Sequence, residues 1–169
     1  FRAVMLDFFQ RCKGLHGQIM RAVALGLGIE EKWFDGYTDA GDNTLRLLHY
    51  PEVEASIFRE RKGQVRAGSH TDYGRSKTVW SRMRTAYWGN ITDALEAGSI
   101  TLLFQDDRGG LQVMSPNGTF VDATPIPDTI VINAGDLLAR WSNDTIKSTK
   151  HRVVEPPLKP GQEVGDKYP

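Results

Sequence analysis

The residues with the most chemical potential in this 169-residue chain are His70 and Asp72, spaced as H-x-D, and His151, at the head of the apolar run HRVV. On an extended strand, residues two apart project to one face roughly 7 Å apart along the chain, so His70 and Asp72 can address one metal ion while Thr71 points away. By itself an H-x-D also arises as a local hydrogen-bonded pair, and a metal requires a further ligand from another strand. His151 is the candidate, reached through the polar connection SNDTIKSTK; an ordinary half-buried strand histidine remains the alternative. Two imidazoles and one carboxylate on one face of an octahedral ion leave the opposite positions open. That arrangement suits non-haem Fe(II), which must accept both an organic chelator and O2.

The elements that must hold these groups follow from the patterning. Met5, Phe8, Phe9, Cys12, Leu15, Ile19, Val23 and Leu27 recur at three- and four-residue steps, which predicts an amphipathic helix ending near Gly28, with its stripe, Cys12 included, given to core packing. After Asp42 come short apolar or alternating runs at 45–50, 64–72, 100–105, 111–114, 120–122, 129–133, 137–141 and 151–154, bounded by Gly, Pro, Asn and Asp. Many short strands with turns between them predict a sandwich, barrel or jelly roll. LQVMSPNGTFVD predicts a tight hairpin, with Asn117-Gly118 supplying positive φ. The tail EPPLKPGQEVGDKYP reads as a loop.

Composition narrows the partners. Lys plus Arg and Asp plus Glu both number 21, so no global field favours nucleic acid or an anionic membrane surface. A single cysteine excludes an internal disulfide framework and fits a reducing, cytoplasmic setting. The longest apolar region, 1–29, is broken by Arg2, Asp7, Arg11, Lys13 and Arg21 and cannot span a bilayer. The expectation is a monomer that meets a small molecule.

Five phrases, HTDYG, SITLLFQD, GGLQV, INAGDLLARWSND and KSTKHRVV, together resemble the isopenicillin N synthase-like branch of the 2-oxoglutarate/Fe(II)-dependent dioxygenases, in a fungal-type form, in that family's order from about Leu45 onward. The resemblance implies a mainly β fold with a leading α-helix: a double-stranded β-helix, or cupin-like jelly roll, incomplete at both ends. Residues 1–42 would be a helical segment backing the jelly roll, and 43–169 a partial dioxygenase domain. It further implies His70, Asp72 and His151 as the metal triad, Fe(II) with 2-oxoglutarate and O2 as cosubstrates, and hydroxylation, desaturation or ring closure of a small organic molecule, as in secondary metabolism. Tyr50 resembles a residue on the cosubstrate side of the pocket, although core packing suits it equally. Asn143 and Ser148 resemble the loop before the distal histidine and read as turn and hydrogen-bonding residues, and Asp136 as a turn organiser.

Two departures from the family pattern matter. The Arg-x-Ser pair that anchors the far carboxylate of 2-oxoglutarate is absent after His151, and Arg152, adjacent on the strand, points to the wrong face. An oxidase that dispenses with 2-oxoglutarate, as isopenicillin N synthase does, and a catalytically inactive fragment are therefore the alternatives. The other departure lies inside the motif. His70 to His151 spans 81 positions, and deleting 24 residues restores HTDYGSITLLFQD, with Gly74 and Gly98 interchangeable at the join. Residues 75–97 accordingly read as a translated, unspliced intron; the alternative is a lid loop carrying Trp80, Tyr87 and Trp88. Closing such a loop costs only roughly 3 kcal/mol of chain entropy, so the ligands on either side can survive it.

Overall fold

The computed structural model describes residues 1–39, 43–51, 53–54, 56–60, 64–72 and 98–157. The chain opens with helix α1 (Arg2–Gly26), followed by the short helices α2 (Asp35–Thr38) and α3 (Ser56–Glu60). Six strands come next: β1 (Ala67–His70), β2 (Ile100–Leu103), β3 (Leu111–Met114), β4 (Phe120–Asp122), β5 (Val131–Ala134) and β6 (His151–Val153), with helix α4 (Asp136–Trp141) between the last two. Every pairing among these strands is antiparallel. β1, β6, β3 and β4 lie side by side in that order, while β2 pairs with β5 in a separate two-stranded sheet. Strands adjacent in space but distant in sequence, such as β1 with β6 and β2 with β5, are the crossed connections of a double-stranded β-helix, and the expected jelly roll with a leading helix is the fold observed.

The core sits between α1, the aromatic turn at 33–37, α4 and the two-stranded sheet. Met20, Ala24, Phe34 and Leu138 are fully buried together, with Val23, Leu27, Ile100, Ala134, Trp141 and Ile146 packed around them. The predicted stripe of α1 is only half-buried; its deepest residues, Met20 and Ala24, lie just beside it. Phe8 meets Phe104 edge-on at 5.0 Å between ring centroids, which seats the helix beside β2. Gly28, at φ +72°, turns the chain out of the helix as its position predicts.

Three expectations are corrected. Residues 43–50 form no strand and are mostly exposed, because the run 45–50 lies in no ladder with any described strand, and alternation without a partner does not make a strand. The run 137–141 is helix α4, not a strand: Gly135 is extended as its N-cap, Asp136 sits in the first turn, and Leu137, Leu138 and Ala139 are all buried. Three successive buried residues, Leu137, Leu138 and Ala139, carry no period that separates the two states. The β3–β4 connection is a five-residue loop rather than a two-residue turn. Gly118 alone takes positive φ (+84°), and Asn117 Oδ1 accepts from the Thr119 hydroxyl (2.7 Å) instead of entering the left-handed region.

Candidate metal centre

His70 closes β1, His151 opens β6, and the two are cross-strand partners. Their ring centroids are 4.4 Å apart. One extra residue on β1 between the pairs Ala67↔Val153 and His70↔His151 makes a bulge, a device that re-aims the side chain at the strand's end. Asp72 does not lie on the strand as expected. It follows β1 by two residues, and its position is set from the other side of the molecule: the Asp136 amide donates to the Asp72 carbonyl (3.2 Å), and the Thr71 hydroxyl donates to Asp136 Oδ2 (3.3 Å). Asp136, expected to organise a turn, thus opens α4 and holds the metal-strand loop.

Ligand atoms of His70, Asp72 and His151 all lie within 4.8 Å of one another, and theirs is the metal-type cluster among the described residues. The hydrogen bonds settle which nitrogens are available. Nδ1–H of His70 donates to the Gly68 carbonyl (2.7 Å), and Nδ1–H of His151 donates to the Thr149 carbonyl (3.1 Å). A carbonyl can only accept, so in each neutral ring the proton is on Nδ1 and Nε2 carries a free lone pair. His151 Nε2 faces Asp72 Oδ1 at 3.3 Å. Two lone pairs facing each other repel unless a cation or a proton lies between them, and adjacent corners of an octahedral first-row ion are about 3 Å apart. The donor set therefore fits a divalent cation, with its carbonyl-anchored imidazoles in the tautomer a metal needs.

The second carboxylate oxygen is also engaged: Asn133 Nδ2 donates to Asp72 Oδ2 at 2.7 Å. Asn133 belongs to β5, so this bond joins the two sheets across the site. Its role was invisible to spacing arguments, since 61 residues separate the partners. A second long-range contact also escaped the sequence: His16 of α1 shares a 2.8 Å hydrogen bond with the Ser99 hydroxyl, one residue before β2, and burial lowers the His16 pKa.

The other singled-out residues lie elsewhere. Tyr50 is half-buried with the Arg66 guanidinium 5.9 Å from its ring centre. Arg152 turns to the opposite face, stacking over Phe120 at 4.0 Å and donating to Gln112 Oε1 at 2.8 Å, as its place beside His151 predicts. Asn143 and Asp144 take φ of +50° and +59°, a turn in two successive left-handed residues. Ser148 Oγ, expected to hydrogen-bond, is buried with no partner among the described residues; Ser142 does that work, accepting from the Ile146 amide (3.0 Å) and donating to the Ala139 carbonyl (3.1 Å). Cys12 is half-buried, and burial raises its pKa. His49 is exposed. Residues 75–97, with Trp80, Tyr87 and Trp88, lie outside the described residues, as does the tail from 158.

Among known proteins, residues 89–162 match the 2OG-Fe(II) oxygenase superfamily, a stretch that includes Asn133, α4 and His151. The 2-oxoglutarate-Fe(II) type oxidoreductase ppzD of Metarhizium majus is 35% identical over 159 residues, 92% of this chain and 38% of that protein. The proline hydroxylase buaE of Petromyces alliaceus is 35% identical over 92% of this chain and 42% of its own length. The crystal structure of a full-length Neurospora crassa protein in complex with α-KG and 5-formyluracil superimposes with a TM-score of 0.77 at 56% identity, covering 95% of this chain and 44% of that one; the same protein is also solved with α-KG and thymine. The chain thus spans about two-fifths of the length of the relatives it matches. Sheet order, a two-histidine, one-carboxylate cluster and these likenesses all support the 2OG-Fe(II) oxygenase superfamily.

Proposed function

We propose that His70, Asp72 and His151 hold Fe(II) on one face and that the whole protein uses 2-oxoglutarate and O2 to oxidise a small molecule, a pyrimidine base substituted at C5. The observation that carries the metal assignment is the convergence of one ligand atom each from His70, Asp72 and His151 within 4.8 Å, with His151 Nε2 at 3.3 Å from Asp72 Oδ1 and each imidazole bonded through Nδ1 to a backbone carbonyl. The substrate class rests on the 56% identity to the Neurospora crassa protein, which is solved with thymine and with 5-formyluracil. Iron bound at the triad, together with 2-oxoglutarate and O2, supplies the oxidising power. The residues of this chain would supply the rest: three donors, His70, Asp72 and His151, to hold the metal ion from one side, and beside them the space in which the base would be oriented. Tyr50 is assigned to the cosubstrate side of that space, its ring held by Arg66 just ahead of β1. Cytoplasmic location and a monomeric state belong to the same proposal; no helix among the described residues is long and apolar enough to cross a membrane.

The α-KG bound in the Neurospora crassa protein favours a 2-oxoglutarate-dependent reaction over an oxidase that needs none. The test is succinate release from 2-oxoglutarate by the whole protein with Fe(II) and either thymine, 5-formyluracil or free proline. Release stimulated by the pyrimidines and not by proline is expected. Stimulation by proline alone would move the protein toward buaE, and no succinate with any of them would remove the activity altogether.

A further inference from the structure

The carboxylate of Asp72 is held from two sides by different means. Oδ1 faces His151 Nε2 at 3.3 Å, in the metal position, whereas Oδ2 accepts a 2.7 Å hydrogen bond from Asn133 Nδ2. A free aspartate beside a divalent ion can rotate about its last torsion and chelate through both oxygens, closing one coordination position. An oxygen tied to an amide N–H is withheld from the ion. Asn133 is well placed to impose this. It is half-buried on β5, in register with Thr101 of β2, so its backbone is fixed by a ladder and its side chain crosses to the opposite sheet. Next to it, Gly135 is pinned by its amide to the Ser99 carbonyl (2.9 Å), and the Asp136 amide holds the carbonyl of Asp72 itself (3.2 Å). One short segment, 133–136, therefore grips both the main chain and the side chain of Asp72.

We infer that Asn133 is a positioning residue that keeps Asp72 a one-oxygen ligand, so that three positions on the metal stay open for cosubstrate and O2. The inference rests on the assignment of His70, Asp72 and His151 as the ligands. An outer-shell partner of this kind typically contributes 10- to 100-fold to metal affinity. Its loss is expected to alter the number of open positions as well as the affinity, which a merely structural residue would not do.

The experiment uses Mn(II) as the probe on the full chain, without cosubstrate. Affinity is read by calorimetry, and metal-bound exchangeable water by proton relaxation. The variants are Asn133→Leu, of similar size but without a donor, Asn133→Ala, and Asp72→Ala as the ligand control. The parent chain should show about three exchangeable waters on the ion, as a facial triad leaves. Asn133→Leu and Asn133→Ala should bind roughly 10-fold more weakly or worse and show one water fewer, with thermal unfolding of the metal-free protein little changed. Water count and affinity within twofold of the parent in either folded Asn133 variant, with Asp72→Ala at least 100-fold weaker, would overturn the role of Asn133 alone. Unchanged binding in Asp72→Ala would instead overturn the ligand assignment beneath it. Should one Asn133 variant fail to fold, the other carries the comparison.

Discussion

Two imidazoles, each with Nδ1 on a backbone carbonyl, leave Nε2 free for a metal, and the residue types H-x-D and HRVV named the residues that cluster but not this anchoring. The anchors are carbonyls of Gly68 and Thr149, each two residues before its histidine, a main-chain device that no side-chain pattern encodes. His16 was equally hidden: it sits inside the helix stripe as one more helical position, yet its contact with Ser99 ties α1 to the start of β2. Its folded pKa is lowered from 6.5 by burial, so the unfolded chain binds the proton first. Stability from keeping His16 neutral is therefore fully present above about pH 6.5 and is lost as pH falls below that toward the lower folded value. Thermal melts of the metal-free protein between pH 7.5 and pH 5 should show this decline, and His16→Gln should flatten it. An equally steep decline in His16→Gln would place the titration elsewhere.

Among the elements, β3, β4 and β6 were read from the sequence almost to the residue, because alternation and turn residues agree there. α4 was misread because its three successive buried residues, Leu137 to Ala139, carry no period that distinguishes helix from strand, and 45–50 because its alternation has no ladder among the described strands. The segment 133–136 could be recognised as a phrase but not as a clamp. A Cβ at Gly135 would overlap the Gly98 carbonyl oxygen and stand 3.3 Å from that of Asp72. Gly135→Ala should accordingly destabilise the fold by about 1–3 kcal/mol, an overpacking cost. Because the displaced carbonyls flank the ligand, Mn(II) affinity should fall as well; denaturant unfolding and calorimetry read the two effects. The same clamp bears on the insertion. The carbonyls of Asp72 and Gly98 accept from the successive amides of Asp136 and Leu137 (3.2 Å each), so the two ends of the intervening segment are held side by side. We propose on this basis that residues 75–97 are an excursion whose removal leaves the site whole. Deleting 75–98 should preserve or tighten Mn(II) binding, and mature transcript should lack the corresponding codons. Loss of metal binding on deletion, with the codons retained in the message, would favour the lid loop.

The molecule as a whole carries balanced charge and few deep side chains: among the described residues seven apolar side chains are buried, while Phe1, Val4, Leu47, Leu48 and Ile126 are each at least 65% exposed. Among the described residues the triad is positioned by local devices: the β1 bulge, the carbonyl anchors of the imidazoles, and the 133–136 clamp. Everything proposed for the activity depends on one event, the binding of Fe(II) by His70, Asp72 and His151 with room left for 2-oxoglutarate. Anaerobic titration of Fe(II) into the protein with 2-oxoglutarate present, followed by the visible charge-transfer absorption of the chelated cosubstrate, tests it most directly. The account predicts a band that saturates at one iron per chain and vanishes in Asp72→Ala and His151→Ala. Its absence from the parent protein, or its persistence in both variants, would contradict the account.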